Sequence, residues 1–272
     1  MINLYDYIIE KYNNAAKGDE FYTRLVDIEK GLKQFDFKGK IVYCNCDDPS
    51  FSNFYKYFHD NFKNLGLKKL LATYYSDDPY LYEFDGEEKK TSIKSGDFRD
   101  NGDIMKQCDI VVTNPPFSAG LPTELVKMCL KYKKDFIFLC KNDWFTRKGA
   151  FEFYKSGEVN INNIEVNRFD GPNSSTKVTC YWFTSFDLKK ENFKPTKKYS
   201  TEAYPKYKNY DAIEVGSIEN IPGDYEGNMG VSLSFGKYLN REQYEIVDML
   251  NVPIGEDGHK YFKRLIIKKR TS

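Results

Sequence analysis

The tetrapeptide Asn114-Pro115-Pro116-Phe117 has residue types and spacing suited to holding a planar ring that bears an amino group. It follows the apolar run 109–113, and because its two prolines cannot lie inside a strand, the chain must leave its sheet there. The Asn114 amide carbonyl and the Pro115 backbone carbonyl are two hydrogen-bond acceptors. Phe117 adds a flat face on which a base can lie. The motif predicts a clamp for an exocyclic amino group; the alternative is a proline-stiffened turn whose phenylalanine belongs to the core.

A second polar group, Asp47 and Asp48 before Pro49, follows the predicted strand 40–46. Dinucleotide-binding folds have glycines at this position, whereas carboxylates repel a pyrophosphate. Carboxylates do balance the sulfonium and ammonium charges of S-adenosylmethionine, so the pattern favours a cationic ligand with an adenosine part. The alternative role is the N-cap of the following helix, because Asp before Pro is common at a first helical turn. The two roles are compatible.

The pair Asp97-Phe98 offers a third set of contacts. The Asp97 carboxylate can accept hydrogens from an adenine amino group, and the Phe98 ring can pack on the face of the base. A turn with one buried phenylalanine is the alternative. Asp77, which follows the predicted strand 69–75, is a weaker candidate for binding ribose hydroxyls.

These loops follow strands in a chain that alternates strands with helices, which predicts an α/β fold with a doubly wound, mainly parallel sheet covered on both faces. Ligands bind beyond the carboxyl ends of such strands, where these loops lie. The last two strands are predicted to form an antiparallel edge, and Thr23 to be the N-cap of the second helix. Apolar periodicity gives the strands as 40–46, 69–75, 110–113, 135–140, 161–169 and 178–184, and the helices as 4–12, 25–35, 51–62, 123–132, 147–155 and 241–250.

Composition limits the class of protein. The 41 Lys+Arg against 40 Asp+Glu give a net charge of +1, so any surface for nucleic acid must be local. The 6 cysteines form no CxxC pair and have 2 histidines as companions, which disfavours a metal site and fits reduced thiols. The start lacks a secretory pattern and no long apolar run follows, so the sequence predicts a soluble, cytoplasmic protein with no membrane partner.

Basic residues concentrate towards the end of the chain. Residues 189–208 contain seven lysines and two glutamates, with prolines that disfavour a continuous helix. Residues 260–270 contain six basic side chains and no acidic one around a predicted final strand. The change in composition predicts a domain boundary at residue 188. Arg147 and Lys148, after Trp144-Phe145, are further candidates for facing nucleic acid.

Several strings together resemble a known family. Phe21-Tyr22-Thr23, the acidic turn 47–49, Gly96-Asp97-Phe98 and the opening tetrapeptide occur in the order found in adenine-specific amino-methyltransferases of DNA. More narrowly, the chain resembles the EcoRI-type adenine-specific DNA methyltransferase family from residue 19 to about 231, and its basic tail is also similar. The strings that carry this narrower resemblance are Asp19-Glu20-Phe21-Tyr22-Thr23, Cys44-Asn45-Cys46-Asp47-Asp48-Pro49, Tyr210-Asp211-Ala212-Ile213-Glu214-Val215 and Met229-Gly230-Val231.

The resemblance implies a Rossmann-like methyltransferase domain over 1–188 that binds S-adenosylmethionine, and a C-terminal target-recognition region over 189–272. It implies double-stranded DNA as the partner, no metal, and a cognate restriction endonuclease of the same site as a potential further partner. The expected reaction is methyl transfer to the amino group of an adenine flipped out of the duplex. The same two acceptors would serve a cytosine N4 amino group or an RNA base, and a catalytically silent nucleic-acid-binding relative is the remaining alternative.

The resemblance also implies roles for individual residues. Asn114 and the Pro115 carbonyl would accept hydrogen bonds from the target amino group, and Phe117 would stack on the extruded base. The expected cofactor contacts are Phe21, Tyr22, Thr23, Cys46, Asp47, Asp97, Phe98 and Asn114, with residues 21–23 closing over the methionine part.

Overall fold

A computed structural model of the 272-residue chain describes residues 22–117, 120–170 and 175–270. The predicted helix 4–12 and Phe21 lie outside these ranges. The chain divides into two compact units, the first formed by Met1–Asn142 with Ile164–Phe186 and the second by Asp143–Asn163 with Asp187–Ser272. These units are defined by how compactly their residues pack. The boundary between a catalytic and a DNA-binding region at residue 188 is a separate, functional prediction and stays one. No helix in the described ranges is both long and apolar enough to cross a membrane.

The first unit is built on an eight-stranded sheet with the strand order β5-β4-β3-β2-β6-β7-β11-β8. Strand β2 lies parallel to both β3 and β6, and β6 lies parallel to β7. Strand β11 is antiparallel to β7, and the β4–β5 hairpin adds an antiparallel edge beside β3. The strands are β2 (Ile41–Cys44), β3 (Lys69–Ala72), β4 (Tyr80–Phe84), β5 (Glu88–Ser92), β6 (Ile110–Thr113), β7 (Asp135–Lys141), β8 (Asn160–Val166) and β11 (Cys180–Thr184). The predicted α/β class and doubly wound arrangement are confirmed, and β11 supplies the expected antiparallel strand near the edge. The sheet is mixed and not mainly parallel as predicted, because the β4–β5 hairpin also pairs antiparallel beside β3.

A three-stranded antiparallel sheet lies in the same unit, in the order β1-β9-β10. Its strands are β1 (Tyr22–Thr23), β9 (Phe169–Asp170) and β10 (Ser175–Thr176). Tyr22 pairs with Asp170, and Thr23 pairs with Phe169. Residues 21–23, the aromatic gate predicted to close over the cofactor, are therefore attached through Tyr22 and Thr23 to a segment distant in sequence.

The helices are α1 (Leu25–Leu32), α2 (Asn53–Asp60), α3 (Phe62–Leu65), α4 (Gly102–Gln107), α5 (Leu121–Tyr132) and α6 (Ala150–Ser156), the last in the second unit. Arg24, not the predicted Thr23, occupies the N-cap of α1, and its guanidinium pairs with Asp27 at 2.7 Å. The N-cap prediction was wrong because Thr23 pairs within a strand. Ser52 caps α2 by accepting hydrogen bonds from the Phe54 and Tyr55 amides.

One buried cluster of the first unit lies between the large sheet and α1 and α2. Val42, Leu70 and Val112 from neighbouring strands belong to one buried cluster with Phe54 and Trp182, whose rings are 5.7 Å apart. Gly31 of α1 faces the same tryptophan, because a Cβ atom built on Gly31 would overlap the Trp182 indole. Aromatic packing thus sets how closely α1 approaches the sheet.

The second unit contains a four-stranded sheet in the order β12-β13-β15-β14. Its strands are β12 (Ile213–Gly216), β13 (Met229–Ser232), β14 (Tyr244–Leu250) and β15 (Arg264–Lys269). The predicted final strand is confirmed, but the predicted helix 241–250 is wrong, since Tyr244 pairs with Lys269 in an antiparallel ladder. Tyr244 and Ile246 are buried with a residue between them, which is the two-residue period of a strand. The aromatic and β-branched residues of this segment also favour a strand when a partner is available.

Replacing Gly31 with alanine should lower the free energy of unfolding by about 1–3 kcal/mol, because the added methyl group overpacks the site against Trp182. Helix propensity acts in the opposite direction by roughly 1 kcal/mol, so a stabilised variant would contradict this packing. Denaturant unfolding at 25 °C measures the difference. Lys30→Ala, on the exposed face of the same helix, is the control and should stay within about 0.5 kcal/mol of the wild type.

Candidate active site

The strand order reverses direction between β2 and β6, which places the loops after these two strands side by side. Strand β2 pairs in parallel with β6, with Tyr43 opposite Val111, and the chain continues from β2 to β3 on its other side. In doubly wound sheets this switch point is where ligands bind. The acidic turn after β2 and the tetrapeptide after β6 are therefore neighbours, as the sequence predicts.

A buried carboxylate joins the two loops. The Thr113 hydroxyl at the end of β6 donates to Oδ2 of Asp47 at 2.7 Å, and the Ser52 hydroxyl donates to Oδ1 at 2.7 Å. The Asp47 amide donates to the Thr73 carbonyl, just past β3, at 3.1 Å. Asp47 is 5% exposed, so its interactions fix the ends of three adjacent strands and the start of α2.

The environment of Asp47 opposes its ionisation. Burial raises the pKa of this carboxyl to about 6, although the hydrogen bonds from Ser52 and Thr113 hold it down in part. Asp47 does not itself cap α2. It accepts the hydroxyl hydrogen of Ser52 and so orients the side chain that caps the helix. Asp48 is half-buried, and its carboxylate accepts a hydrogen bond from the Ser50 amide at 2.8 Å. The acidic turn thus has a structural role, and its negative charge remains at the switch point.

Three polar side chains around the switch point contain buried atoms that lack a hydrogen-bond partner within the described part of the chain. They are Oδ1 of Asn114, both amide atoms of Asn45, and the Thr23 hydroxyl. A buried polar atom left without a partner typically costs about 1–3 kcal/mol, so such atoms are uncommon unless a ligand or ion satisfies them. Oδ1 of Asn114 is the acceptor that the sequence predicts for an amino group.

The predicted aromatic gate is anchored beside the same loop. The Asn53 side chain, at the start of α2, donates to the Thr23 carbonyl at 2.8 Å. Thr23 is buried and Tyr22 is half-buried. The structure therefore brings Tyr22 and Thr23 to the acidic turn, whereas Phe21 lies outside the described residues.

Phe117 lies between the core and the site. Its half-buried ring makes an edge contact with Phe169, at 6.4 Å between centroids and an interplanar angle of 80°. The Lys141 ammonium group, at the end of β7, is 6.0 Å from the centroid of the same ring. Phe117 also packs against the main core cluster, so the alternative role that the sequence suggested for it, as a core phenylalanine, is realised. Pro115 is buried and Asn114 is half-buried.

The Asp97-Phe98 pair lies in a short turn that needs its preceding glycine. A Cβ atom on Gly96 would lie 2.7 Å from the Tyr74 carbonyl and the Ser76 amide, so only glycine fits against the segment after β3. Phe98 is 5% exposed. The Asp97 carboxylate accepts from the Arg99 amide and from its Nε, both at 2.9 Å. Burial alone would raise the pKa of Asp97, but the hydrogen bonds and charge of Arg99 outweigh it and hold the pKa below its usual range.

Cys46 connects this turn to the switch point. Burial raises the pKa of its thiol, Asp47 and Asp97 add to the rise, and a hydrogen bond with the Thr113 side chain opposes it. The thiol therefore stays protonated and within range of both carboxylates. Asp77, the weaker ribose candidate, is exposed.

Sequence reasoning missed Ser52, Thr113 and Thr73 as residues that hold the site. Thr113 had a recognisable signal, because it is a polar residue at the carboxyl end of an otherwise apolar strand. The importance of Thr73 depends on strand pairing, and its hydroxyl lies 2.6 Å from that of Tyr43. Within residues 22–117, 120–170 and 175–270, no group of three or more His, Cys, Asp or Glu side chains is arranged to hold a metal ion.

Comparison with known proteins gives consistent relatives. The family model described as adenine-specific methyltransferase EcoRI matches residues 9–95 and 88–271. The Type II methyltransferase M.EcoRI of Escherichia coli is 37% identical over 287 residues, covering 85% of this chain and 86% of that protein. M.MgeORF184P of Mycoplasma genitalium and M.MpnI of Mycoplasma pneumoniae are Type II methyltransferases 33% identical over 279 residues, each covering 89% of this chain. Among solved structures, a putative RNA methyltransferase from Pyrococcus horikoshii is 14% identical, with a TM-score of 0.34, and covers 59% of this chain and 79% of that one.

The buried carboxylate predicts a pH-dependent stability. Because the pKa of Asp47 rises from its ordinary 3.8 to about 6, the folded chain holds this proton more tightly than the unfolded chain. The proton's stabilising effect is complete below pH 3.8 and is lost as the pH rises through about 6. The difference amounts to roughly 3 kcal/mol, at about 1.4 kcal/mol per pKa unit.

Asp47→Asn removes this titration. The unfolding free energy of the wild type should therefore fall relative to that of Asp47→Asn between pH 4 and pH 7, measured by denaturant unfolding without added ligand. Asp77→Asn, which removes an exposed carboxylate, controls for the general loss of one charge. If the difference in unfolding free energy between the wild type and Asp47→Asn does not change with pH, the proposed cost of burying the Asp47 charge is contradicted.

Proposed function

The chain belongs to the EcoRI family of adenine-specific methyltransferases, and we propose that its Asn114-Pro115-Pro116-Phe117 turn holds the target base of this reaction. As a member of the family, the protein is a site-specific DNA adenine methyltransferase. The observation that carries the residue assignment is the buried, unpartnered Oδ1 of Asn114 beside the bridge from Thr113 to Asp47. Its position at the switch point of the sheet supports a role in ligand binding.

In the proposed mechanism, Oδ1 of Asn114 and the carbonyl of Pro115 each accept one hydrogen of the adenine exocyclic amino group. The lone pair of this nitrogen is delocalised into the ring, which makes it a weak nucleophile. Two acceptors favour the pyramidal form of the nitrogen, so its lone pair points towards the methyl group that it attacks. As the new nitrogen–carbon bond forms, the bond from that carbon to the cofactor sulfur would break, with the electron pair going to sulfur. The amino nitrogen then releases its extra proton to water, and no covalent enzyme intermediate forms. Positioning and electrostatics then supply the rate.

Phe117 is proposed to stack on the extruded adenine. Its ring is anchored on one side by Phe169 and the core cluster, which leaves a half-buried aromatic surface next to Asn114. A ring fixed in this way presents a flat face without losing further side-chain entropy when the base arrives.

We assign the cofactor role to S-adenosylmethionine, which when bound supplies an electrophilic methyl group on a positively charged sulfur. The donor set fits this group, because the unpartnered atoms of Asn45 and Thr23 are neutral and the adjacent turn is acidic. Asp47 would act at a distance, since both of its oxygens accept hydrogen bonds from the protein. Asp97 would receive the adenine amino group of the cofactor only by sharing or exchanging its bonds with Arg99. The remaining proposed contacts are Phe21, Tyr22, Cys46, Phe98 and Asn114, of which Asn114 contributes a minor part of the cofactor affinity.

Double-stranded DNA is the proposed partner of residues 189–272, and the catalytic domain is proposed to span 1–188. Six of the seven lysines in 189–208 are exposed, which supports phosphate contacts. Lys190 is the exception, because it is half-buried and donates to the Ile161 carbonyl at 2.8 Å. We propose that the protein acts in the cytoplasm, because the relatives are bacterial and bacterial DNA lies in that compartment. A Type II system would pair the enzyme with a restriction endonuclease of the same site.

The first test is methyl transfer from labelled S-adenosylmethionine to unmethylated duplex DNA, with digestion of the product to identify the base. Asn114→Ala should reduce the transfer rate by about 100- to 1,000-fold, because one of two acceptors is lost in the transition state. Cofactor affinity should stay within a few-fold. Asn64→Ala, on the exposed surface of α3, is the matched control and should be fully active. Near-normal turnover of Asn114→Ala would refute the clamp, and label in duplex RNA or cytosine would refute the substrate assignment.

A second test concerns the lysine-rich segment 189–208. Replacing Lys197 and Lys198, both exposed, with glutamine should weaken DNA binding and reduce the slope of log affinity against log salt by up to about 1.8. Each neutralised phosphate contact accounts for about 0.9 of that slope. Fluorescence anisotropy at several salt concentrations measures it. Lys33 and Lys38, exposed lysines of the first unit, provide a control pair of equal charge. An unchanged slope would place Lys197 and Lys198 outside the DNA interface.

A further inference from the structure

Phe262 is exposed to a degree that a phenylalanine rarely shows in a folded protein. It is 88% exposed, and the next most exposed large apolar side chain in the described ranges, Phe51, reaches 65%. We propose that Phe262 inserts between stacked bases of the bound duplex and thereby assists extrusion of the target adenine. This inference rests on the proposed function, because it assigns a DNA-contacting residue to the same reaction.

The backbone that presents Phe262 is held in place on its carboxyl side. The Arg264 guanidinium donates to the Phe262 carbonyl at 3.1 Å. The same guanidinium forms an ion pair with Glu214, with Nη2 and Oε1 2.9 Å apart and side-chain exposures of 13% and 11%. Truly flexible loop tips lack such buried contacts. The exposure of Phe262 is therefore a fixed feature of this loop.

The preceding residue is fixed as well. The Tyr261 amide donates to the Pro253 carbonyl at 2.9 Å, and the Tyr261 ring packs edge-on against Tyr207 and His259, with centroid distances of 5.9 Å and 4.7 Å. Buried or packed side chains thus flank an aromatic ring that points into solvent.

The amino-terminal side of the loop is attached to residues 208 and 209. Asn209 donates through its side-chain amide to the Val252 carbonyl at 2.9 Å and accepts from the Ile254 amide at 2.9 Å. The Lys208 amide donates to the Ile254 carbonyl at 2.7 Å. The loop 251–263 is consequently braced along both sides.

The charge around Phe262 fits a nucleic acid better than a protein partner. Lys260, which is exposed, and Lys263, whose ammonium group lies 3.3 Å from the Thr146 hydroxyl, are the cations beside Phe262, whereas Arg264 is neutralised by Glu214. Glu256 and Asp257 precede them in the loop. The core of a protein interface typically contains several apolar side chains, whereas a single projecting aromatic ring beside two lysines matches a base step flanked by phosphates.

Insertion has a direct use in this reaction. Extruding a base requires unpairing and unstacking it, and the barrier is lower when the base is already mispaired. An aromatic or apolar side chain that enters a base step replaces part of the lost stacking. Phe262 would lower the energy of the distorted duplex without contacting the reacting atoms.

The test uses the full chain and two duplexes with its recognition site. One carries 2-aminopurine at the target position and reports extrusion by fluorescence; the other carries the natural adenine and is used for methylation, because 2-aminopurine lacks the 6-amino group that accepts the methyl group. Phe262→Ala should reduce the extrusion signal and the single-turnover methylation rate on paired DNA by about tenfold, in line with the loss of one stacking contact. Phe262→Trp should retain both. Cofactor affinity and thermal unfolding should not change, because the side chain is exposed. Val252→Ala, 49% exposed in the same loop, is the control and should behave as the wild type.

A duplex with a mispaired target adenine distinguishes insertion from other roles. It should restore methylation by Phe262→Ala to within about twofold of the wild type, because extrusion then costs less. An undiminished defect on the mispaired duplex would overturn the proposal, as would normal extrusion of paired DNA by Phe262→Ala. Dimerisation of the wild type that Phe262→Ala abolishes would also overturn it, in favour of a protein contact.

The clamp assignment can fail independently of this inference. Asn114→Ala should show its loss of about 100- to 1,000-fold in transfer rate on both the paired and the mispaired duplex, since a mismatch does not replace a lost acceptor. If Asn114→Ala transfers the methyl group at a near-normal rate, the clamp is refuted, yet the fluorescence comparison still decides the role of Phe262 because it reports extrusion and not transfer.

Discussion

The hydrogen bond from Thr113 to Asp47 is the interaction on which the arrangement of the candidate site depends. It joins the carboxyl ends of β6 and β2, the two strands that flank the switch point, through a carboxylate that also orients the cap of α2. In water such a bond would contribute little, but in a buried setting both its formation and its loss have large consequences. The acidic turn, the gate and the tetrapeptide each attach to this centre.

The same site concentrates destabilising features. Asp47 is ionised against a burial penalty, and the polar side chains of Asn45 and Asn114 contain buried atoms that no described residue satisfies. Natural proteins tend to depart from the rules of stable packing where they bind ligands. The apolar cluster around Trp182 and α2 offsets these penalties, and it fixes the backbone from which the polar groups project. Stability and binding geometry are thus supplied by different residues of the same unit.

The second unit differs in how its polar groups are used. Its buried ion pair, Arg264 with Glu214, and the braced loop beside it contain none of the residues proposed for methyl transfer. They hold exposed side chains in fixed positions, which suits recognition of a large, rigid polyanion. Arg241 also has a structural role. Its guanidinium donates to the Lys155 carbonyl and to the Asn160 side chain, both at 3.3 Å, so few of its donors are left for an external anion.

The sequence by itself determined the doubly wound architecture, the loops that carry the site and the family, because strand periodicity, prolines and short motifs are local signals. It failed over 241–250, where the residues suit a helix in isolation and become a strand only because β15 supplies hydrogen-bond partners. It also placed a cap at Thr23, which tertiary pairing recruited into β1 instead. What only the tertiary structure decided was which polar atoms meet. Asp47 and Thr113 are 66 residues apart, and no local pattern announces that one carboxylate will accept both Ser52 and Thr113 while Oδ1 of Asn114 is left without a partner in the described chain. That outcome depends on strand order and burial, which are properties of the whole sheet.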